Sequence, residues 1–261
     1  MKFFSIFTIA LVACLSFSGA MAEVRSAPVA YKDGDDNLTG YLYWNDAVEG
    51  KRPGILVVHE WWGLDDYARK RAEQLAELGY VAFAADMYGG NKVTSHPKQA
   101  GEWMRATVSD LEGWRRRAQK GLDKLSSLAI TDTDRMAAIG YCFGGATVMQ
   151  LAYAGADLDA VVSFHGSLPL PNGSEAQGFD GKVLIEHGNA DAFVPPERVE
   201  AFKSAMGDAG VDFVFNGHDD ARHGFTNPGA GDFGIDNLKY DEAADTASWR
   251  SMLQTFNTVF D

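Results

Sequence analysis

Hydrophobic positions along the chain fall into short, evenly spread segments. The first two alternate apolar with polar residues, at 28–31 and 38–43. Asp33-Gly34-Asp35-Asp36 lies between them, so a β-hairpin is expected. Residues 54–59 (GILVVH) and 81–85 are continuous apolar runs, the pattern of strands covered on both faces. Between these runs, Asp65 and Asp66 can cap a helix over 67–78 that Gly79 ends. A long helical stretch follows, with Leu111, Trp114, Ala118, Leu122 and Leu125 at helical spacing. Trp103 and Trp114 read there as helix-face or core aromatics, and Arg115-Arg116-Arg117 as a solvated face. Further strands are expected at 136–140, 158–164, 182–187 and 211–215, and further helices at 144–153, 196–206 and 245–260. This alternation predicts an α/β fold, a mostly parallel doubly wound sheet with helices on both faces. No linker-like tract divides it, so residues 23–261 are read as one domain.

The first 22 residues stand apart. Lys2 precedes an almost wholly apolar run, and Ala20-Met21-Ala22 offers small residues before Glu23, the anatomy of an export signal. Leu11-Val12-Ala13-Cys14 also looks like a lipobox, with Cys14 as lipid attachment point, as the weaker alternative. The chain is therefore expected in a bacterial periplasm or secreted, without a stable membrane span after cleavage.

Composition narrows the classes. A 46% hydrophobic and 23% charged chain is ordinary for a globular protein, which excludes wholesale disorder. The formal charge of −13 repels polyanions and argues against nucleic-acid binding. Two cysteines cannot build a disulfide scaffold, and removal of the leader leaves Cys142 alone. Nothing in the sequence fixes an oligomeric state; a monomer is compatible with it.

Cys142 carries the chemistry. Gly140-Tyr141-Cys142-Phe143-Gly144-Gly145 follows an expected strand and opens an expected helix. Small residues two before and two after a nucleophile permit the tight turn that lifts its side chain above a sheet. The helix N-terminus favours a thiolate there, and the backbone N–H of Phe143 can serve an oxyanion. No CxxC or Cys/His cluster provides a metal site, and no cofactor is implied. In a doubly wound hydrolase the acid and the histidine follow the nucleophile in chain order, each after a strand. Asp191, after the 182–187 strand, fits the acid, and either His218 or His223 fits the base. Glu60 ends the first buried strand, where it can influence the thiol. HEWWG has Gly63 at the place of a zincin's second histidine, so that reading fails. Trp61 can supply a second oxyanion N–H from its backbone.

Together, VVHEWWG (57–63), ADMYGG (85–90), GYCFGG (140–145), HGNAD (187–191) and HGF (223–225) resemble the dienelactone hydrolase family, in order, from about Ala27 to the C-terminus. The resemblance implies an α/β-hydrolase fold with Cys142 as nucleophile, Asp191 as orienting acid and His223, rather than His218, as base. It also implies that Glu60 meets the resting thiol and moves away on substrate binding, with Phe143 and Trp61 N–H groups as oxyanion donors. Two arginines that bind the substrate carboxylate in that family have no match: this chain has Gly89-Gly90-Asn91 and Thr226-Asn227-Pro228 there. Arg222 is a possible substitute. Only residues 154–159 separate the elbow helix from the next strand, so no large lid is expected. The pocket is expected to be open, rimmed by Trp61, Trp62, Tyr88, Phe143, His165 and Phe225. The implied activity is hydrolysis of a small-molecule ester or lactone. An exported binding or scaffold protein that keeps a hydrolase fold is the alternative.

Overall fold

In the computed structural model, which describes residues 23–261, the opening hairpin is longer than its alternating core. Strands β1 (Val24–Asp33) and β2 (Asp36–Asn45) pair antiparallel over their whole length, turning at Gly34 with φ +60°. The expected export segment and Cys14 lie outside the described residues. No helix among the described residues is long and apolar enough to cross a membrane.

The rest of the sheet is built from β3 (Arg52–Val58), β4 (Val81–Ala85), β5 (Thr131–Tyr141), β6 (Ala160–Phe164), β7 (Lys182–Gly188) and β8 (Phe213–His218). The strand order is β1-β2-β4-β3-β5-β6-β7-β8, with every pair from β4 to β8 parallel. Alternation along β3 shows why both faces need helices. Leu56 and Val58 enter the core beneath α3 (Leu111–Ser126), α4 (Phe143–Tyr153) and α5 (Pro196–Ala209). Ile55 and Val57 enter the core beneath α1 (Asp66–Glu77) and α6 (Glu242–Val259). This is the α/β-hydrolase arrangement, and the short 154–159 connection after α4 carries no lid.

Local chemistry sets the ends. Asp65 caps α1 by accepting from the Ala68 amide at 3.2 Å, and Gly79 follows the helix with φ +94°. The expected long helical stretch is two helices, α2 (Pro97–Val108) and α3, because Asp110 caps α3 by accepting from the Gly113 amide at 3.0 Å. The arginine run is paired, and Arg116 stays exposed on the helix face. Arg115 grips Glu175 and Gln150, while Arg116 and Arg117 share Asp33. β8 extends to His218, beyond its expected end at 215, because it pairs with β7 up to Gly188↔His218.

Candidate active site

The carboxyl ends of five parallel strands meet at Cys142, the edge where open α/β sheets bind ligands. Glu60 follows β3, Cys142 follows β5, His165 follows β6, Asp191 follows β7 and His223 follows β8. Cys142 has φ 55° and ψ −112°, a backbone conformation that L-residues avoid. The flanking glycines are steric requirements. A Cβ on Gly140 would lie 2.0 Å from the Gly144 carbonyl oxygen, and one on Gly144 would lie 2.2 Å from that of Val58. The elbow leaves the thiol part-exposed at the N-terminus of α4. Neither the Phe143 nor the Trp61 N–H has a protein acceptor among the described residues.

His223 and Asp191 stand beside the thiol. His223 Nδ1 lies 2.7 Å from Asp191 Oδ2, and the same imidazole lines one cavity with Cys142. Burial disfavours a charged His223, but its interactions with Cys142 and the Asp191 carboxylate outweigh it and hold its pKa well above the ordinary value. Burial likewise opposes ionisation of Asp191, yet hydrogen bonds from His223, Asn237 and the Phe193 amide hold its pKa below the usual carboxylate value. The loop carrying His223 is pinned by a β-bridge to Leu238 and by the Lys239 amide, which donates to the His223 carbonyl at 3.1 Å.

His218 is elsewhere. As the last residue of β8 it turns to the α6 side and meets the buried Glu186 carboxylate at 2.6 Å. Glu60 is also occupied: its Oε2 accepts from Asn227 Nδ2 at 2.7 Å, and no Glu60–Cys142 hydrogen bond occurs among the described residues. The resting contact with the thiol is therefore not formed. Burial and nearby Asp65 push the Glu60 carboxyl up to about 7.

The Cys142 cavity holds about 450 Å³, within the range of small-molecule pockets. Trp61, Met104, Val108, Trp114, Phe143 and Ala146 form its inner wall. Ser167, Pro169, Phe193 and Leu238 border it beside His223. Phe193, 53% exposed, forms a lip with its ring edge-on to His223.

The expected rim is corrected at five positions, none of which lines this cavity. Trp62 is buried and stacks on Phe233. Tyr88 turns its hydroxyl to the Trp61 carbonyl and faces a neighbouring cavity of about 470 Å³. Phe225 is wholly buried against His165 and His218. Arg222 donates outward to the Asp236 carbonyl. His165 is wholly buried behind the elbow, where its Nδ1 accepts from the Cys142 amide at 3.1 Å. Its Nε2 then donates to Thr226 Oγ1 at 2.8 Å, and Tyr67 and Arg71 continue this chain toward Asp245. Burial and the nearby His223 charge hold His165 well below its ordinary pKa, hence neutral.

A model of the Dienelactone hydrolase family matches residues 38–260. The chain belongs to the dienelactone hydrolase family. The crystal structure of a dienelactone hydrolase-like promiscuous phosphotriesterase from metagenomic libraries is 38% identical, covering 92% of this chain and 99% of that one, with a TM-score of 0.88. A structure named m3DLH is 37% identical over 91% of this chain and 99% of its own, also at 0.88. Protein usf of Aquifex pyrophilus is 29% identical over 67% of this chain and 77% of its own length. As a dienelactone hydrolase family member, the chain is a hydrolase of carboxylic ester or lactone bonds. At the two places where the resemblance led to an expectation of arginines, the residues present make local hydrogen bonds. The Gly89 and Asn91 amides bond to Asp86, while Asn227 holds Glu60.

Proposed function

We propose that this hydrolase cleaves small esters or lactones through a thioester on Cys142, with His223 as base and Asp191 as its orienting acid. The observation that carries this reading is an imidazole that is hydrogen-bonded to the Asp191 carboxylate and lines the same cavity as the Cys142 thiol on its elbow.

The Cys142 sulfur attacks the substrate carbonyl, forming the S–C bond while the π electrons move onto oxygen. The Phe143 and Trp61 N–H groups stabilise that oxyanion. Its collapse breaks the C–O bond, and His223 gives its proton to the departing alkoxide. For a lactone, the released hydroxyl stays tethered to the acyl group. His223 then removes a proton from water, the hydroxide attacks the thioester, and the S–C bond breaks to restore the thiolate and release the acid. Asp191 holds the imidazole with Nδ1–H toward itself, which leaves the other ring nitrogen for these transfers. The sequence of steps balances without a cofactor.

Turnover of small esters and lactones by the purified chain and by Cys142→Ala tests the reading. Loss of the nucleophile should lower kcat/KM by about 10³-fold or more, while mass spectrometry with an electrophilic acyl probe should show an adduct on Cys142 of the parent. Equal residual rates, with no adduct, would mean a scaffold that only keeps the hydrolase fold.

A further inference from the structure

We propose that the Cys142 cavity selects neutral substrates with a bulky hydrocarbon body, aryl or branched, and rejects those carrying a carboxylate in the chamber. This rests on the hydrolase reading of Cys142 and names the substrate class of that site.

The chamber's inner wall is hydrocarbon and aromatic: Trp61, Met104, Val108, Trp114, Phe143 and Ala146. No lysine or arginine lines it, and its only ionisable groups are Cys142 and His223, both committed to the chemistry. Polar atoms of the aromatic wall are turned to protein partners. Trp114 Nε1 donates to Thr147 Oγ1 at 2.9 Å, and that hydroxyl donates to the Phe143 carbonyl at 2.8 Å. The Trp61 carbonyl is covered by the Tyr88 hydroxyl at 3.0 Å.

The surrounding cations are spent on other partners. Arg222 is held by the Asp236 carbonyl, Arg115 by Glu175 and Gln150, and Arg116 and Arg117 by Asp33. Arg105, the residue after Met104, lies against Gly101 and does not line the chamber.

A carboxylate on the substrate's body would give up its hydration among these walls and meet no lysine or arginine. The Phe143 and Trp61 N–H groups and His223 serve the reacting carbonyl, so only the Ser167 hydroxyl is left to it. A hydrocarbon of equal size gains from leaving water. At the mouth, the exposed Phe193 edge beside His223 extends the same apolar surface to where the substrate enters. Selection therefore arises from the absence of a lysine or arginine partner as much as from contact with hydrocarbon.

The test uses γ-phenyl-γ-butyrolactone and its para-carboxyphenyl counterpart, which differ only by one carboxylate. Two measurements are made: kcat/KM for the parent enzyme, and calorimetric affinity for Cys142→Ala, in which ring opening through sulfur is removed. The neutral lactone is expected to be preferred by about 100-fold or more in both, the scale set by an unpaired buried charge. Val108→Arg, which puts a cation on the inner wall, should shrink the preference at least about tenfold. Equal affinity of Cys142→Ala for the two lactones overturns the inference, whatever the turnover. A retained binding preference with no Cys142-dependent turnover supports the chamber assignment and instead defeats the hydrolase mechanism.

Discussion

The two sides of the elbow are built on opposite principles. In front of Cys142, the cavity wall is mostly hydrocarbon, and its Trp114 N–H is taken up by the Thr147 hydroxyl. Behind it lies a buried polar layer: His165 against the Cys142 amide, Thr226, Tyr67 and Arg71 reaching Asp245, and Glu60 on Asn227. The difference separates two tasks. Fixed hydrogen bonds hold a strained nucleophile in one geometry, while the apolar front leaves the substrate to be sorted by shape and charge. A polar group on the front would need a substrate partner, whereas one at the back has a protein partner already.

Substitutions on each side can break this division. The largest expected stability effect lies at Glu60. With its carboxyl near 7 in the fold against an ordinary 4.5, the native state keeps a proton that the unfolded chain releases between those values. Native stability therefore falls as pH rises through that window and levels off above it. Glu60→Gln removes the loss, so its stability relative to the parent should improve by roughly 2–3 kcal/mol between pH 5 and pH 8. Urea midpoints at the two pH values measure this; a difference that does not change with pH would show Glu60 ionised throughout.

A smaller effect is expected at His165. His165→Leu removes one of two acceptors from the Cys142 amide, which keeps the Phe164 carbonyl at 3.0 Å, and a donor to Thr226, at a cost of about 1–2 kcal/mol. Because the front wall is untouched, kcat should fall while KM for a neutral ester holds. The opposite split would assign His165 to substrate binding. The smallest effect is expected on the front. Trp114→Phe keeps a ring in the wall but deletes the donor to Thr147, so the loss should be about 1 kcal/mol in chemical denaturation. A loss several times larger would mean that the wall, too, depends on a polar network.

How much of this was legible depended on range along the chain. The elbow could be read because Gly140 and Gly144 sit two residues either side of Cys142, and a Cβ at either would strike backbone. Strands such as β4 announce themselves as apolar runs, and α1 by its Asp65 cap. The pocket walls carried no such signal. Trp114 looks like any core tryptophan at helical spacing, and Leu238 belongs to no motif, yet both border the thiol. Trp62, Tyr88 and Phe225, although inside the motifs, turn elsewhere. Asn237, which donates to Asp191 at 3.0 Å, is 46 residues from it.

The sequence by itself determined the α/β alternation, the glycine-flanked cysteine turn and the order of acid and histidine, since each follows from local turn chemistry or short periodicity. The tertiary structure alone decided that His218 turns to Glu186, that Glu60 rests on Asn227, and that no lysine or arginine lines the chamber. Those outcomes depend on how far β8 pairs with β7 and which faces of α2, α3 and the loops turn inward. They come from packing between segments distant in the chain, which local periodicity does not encode.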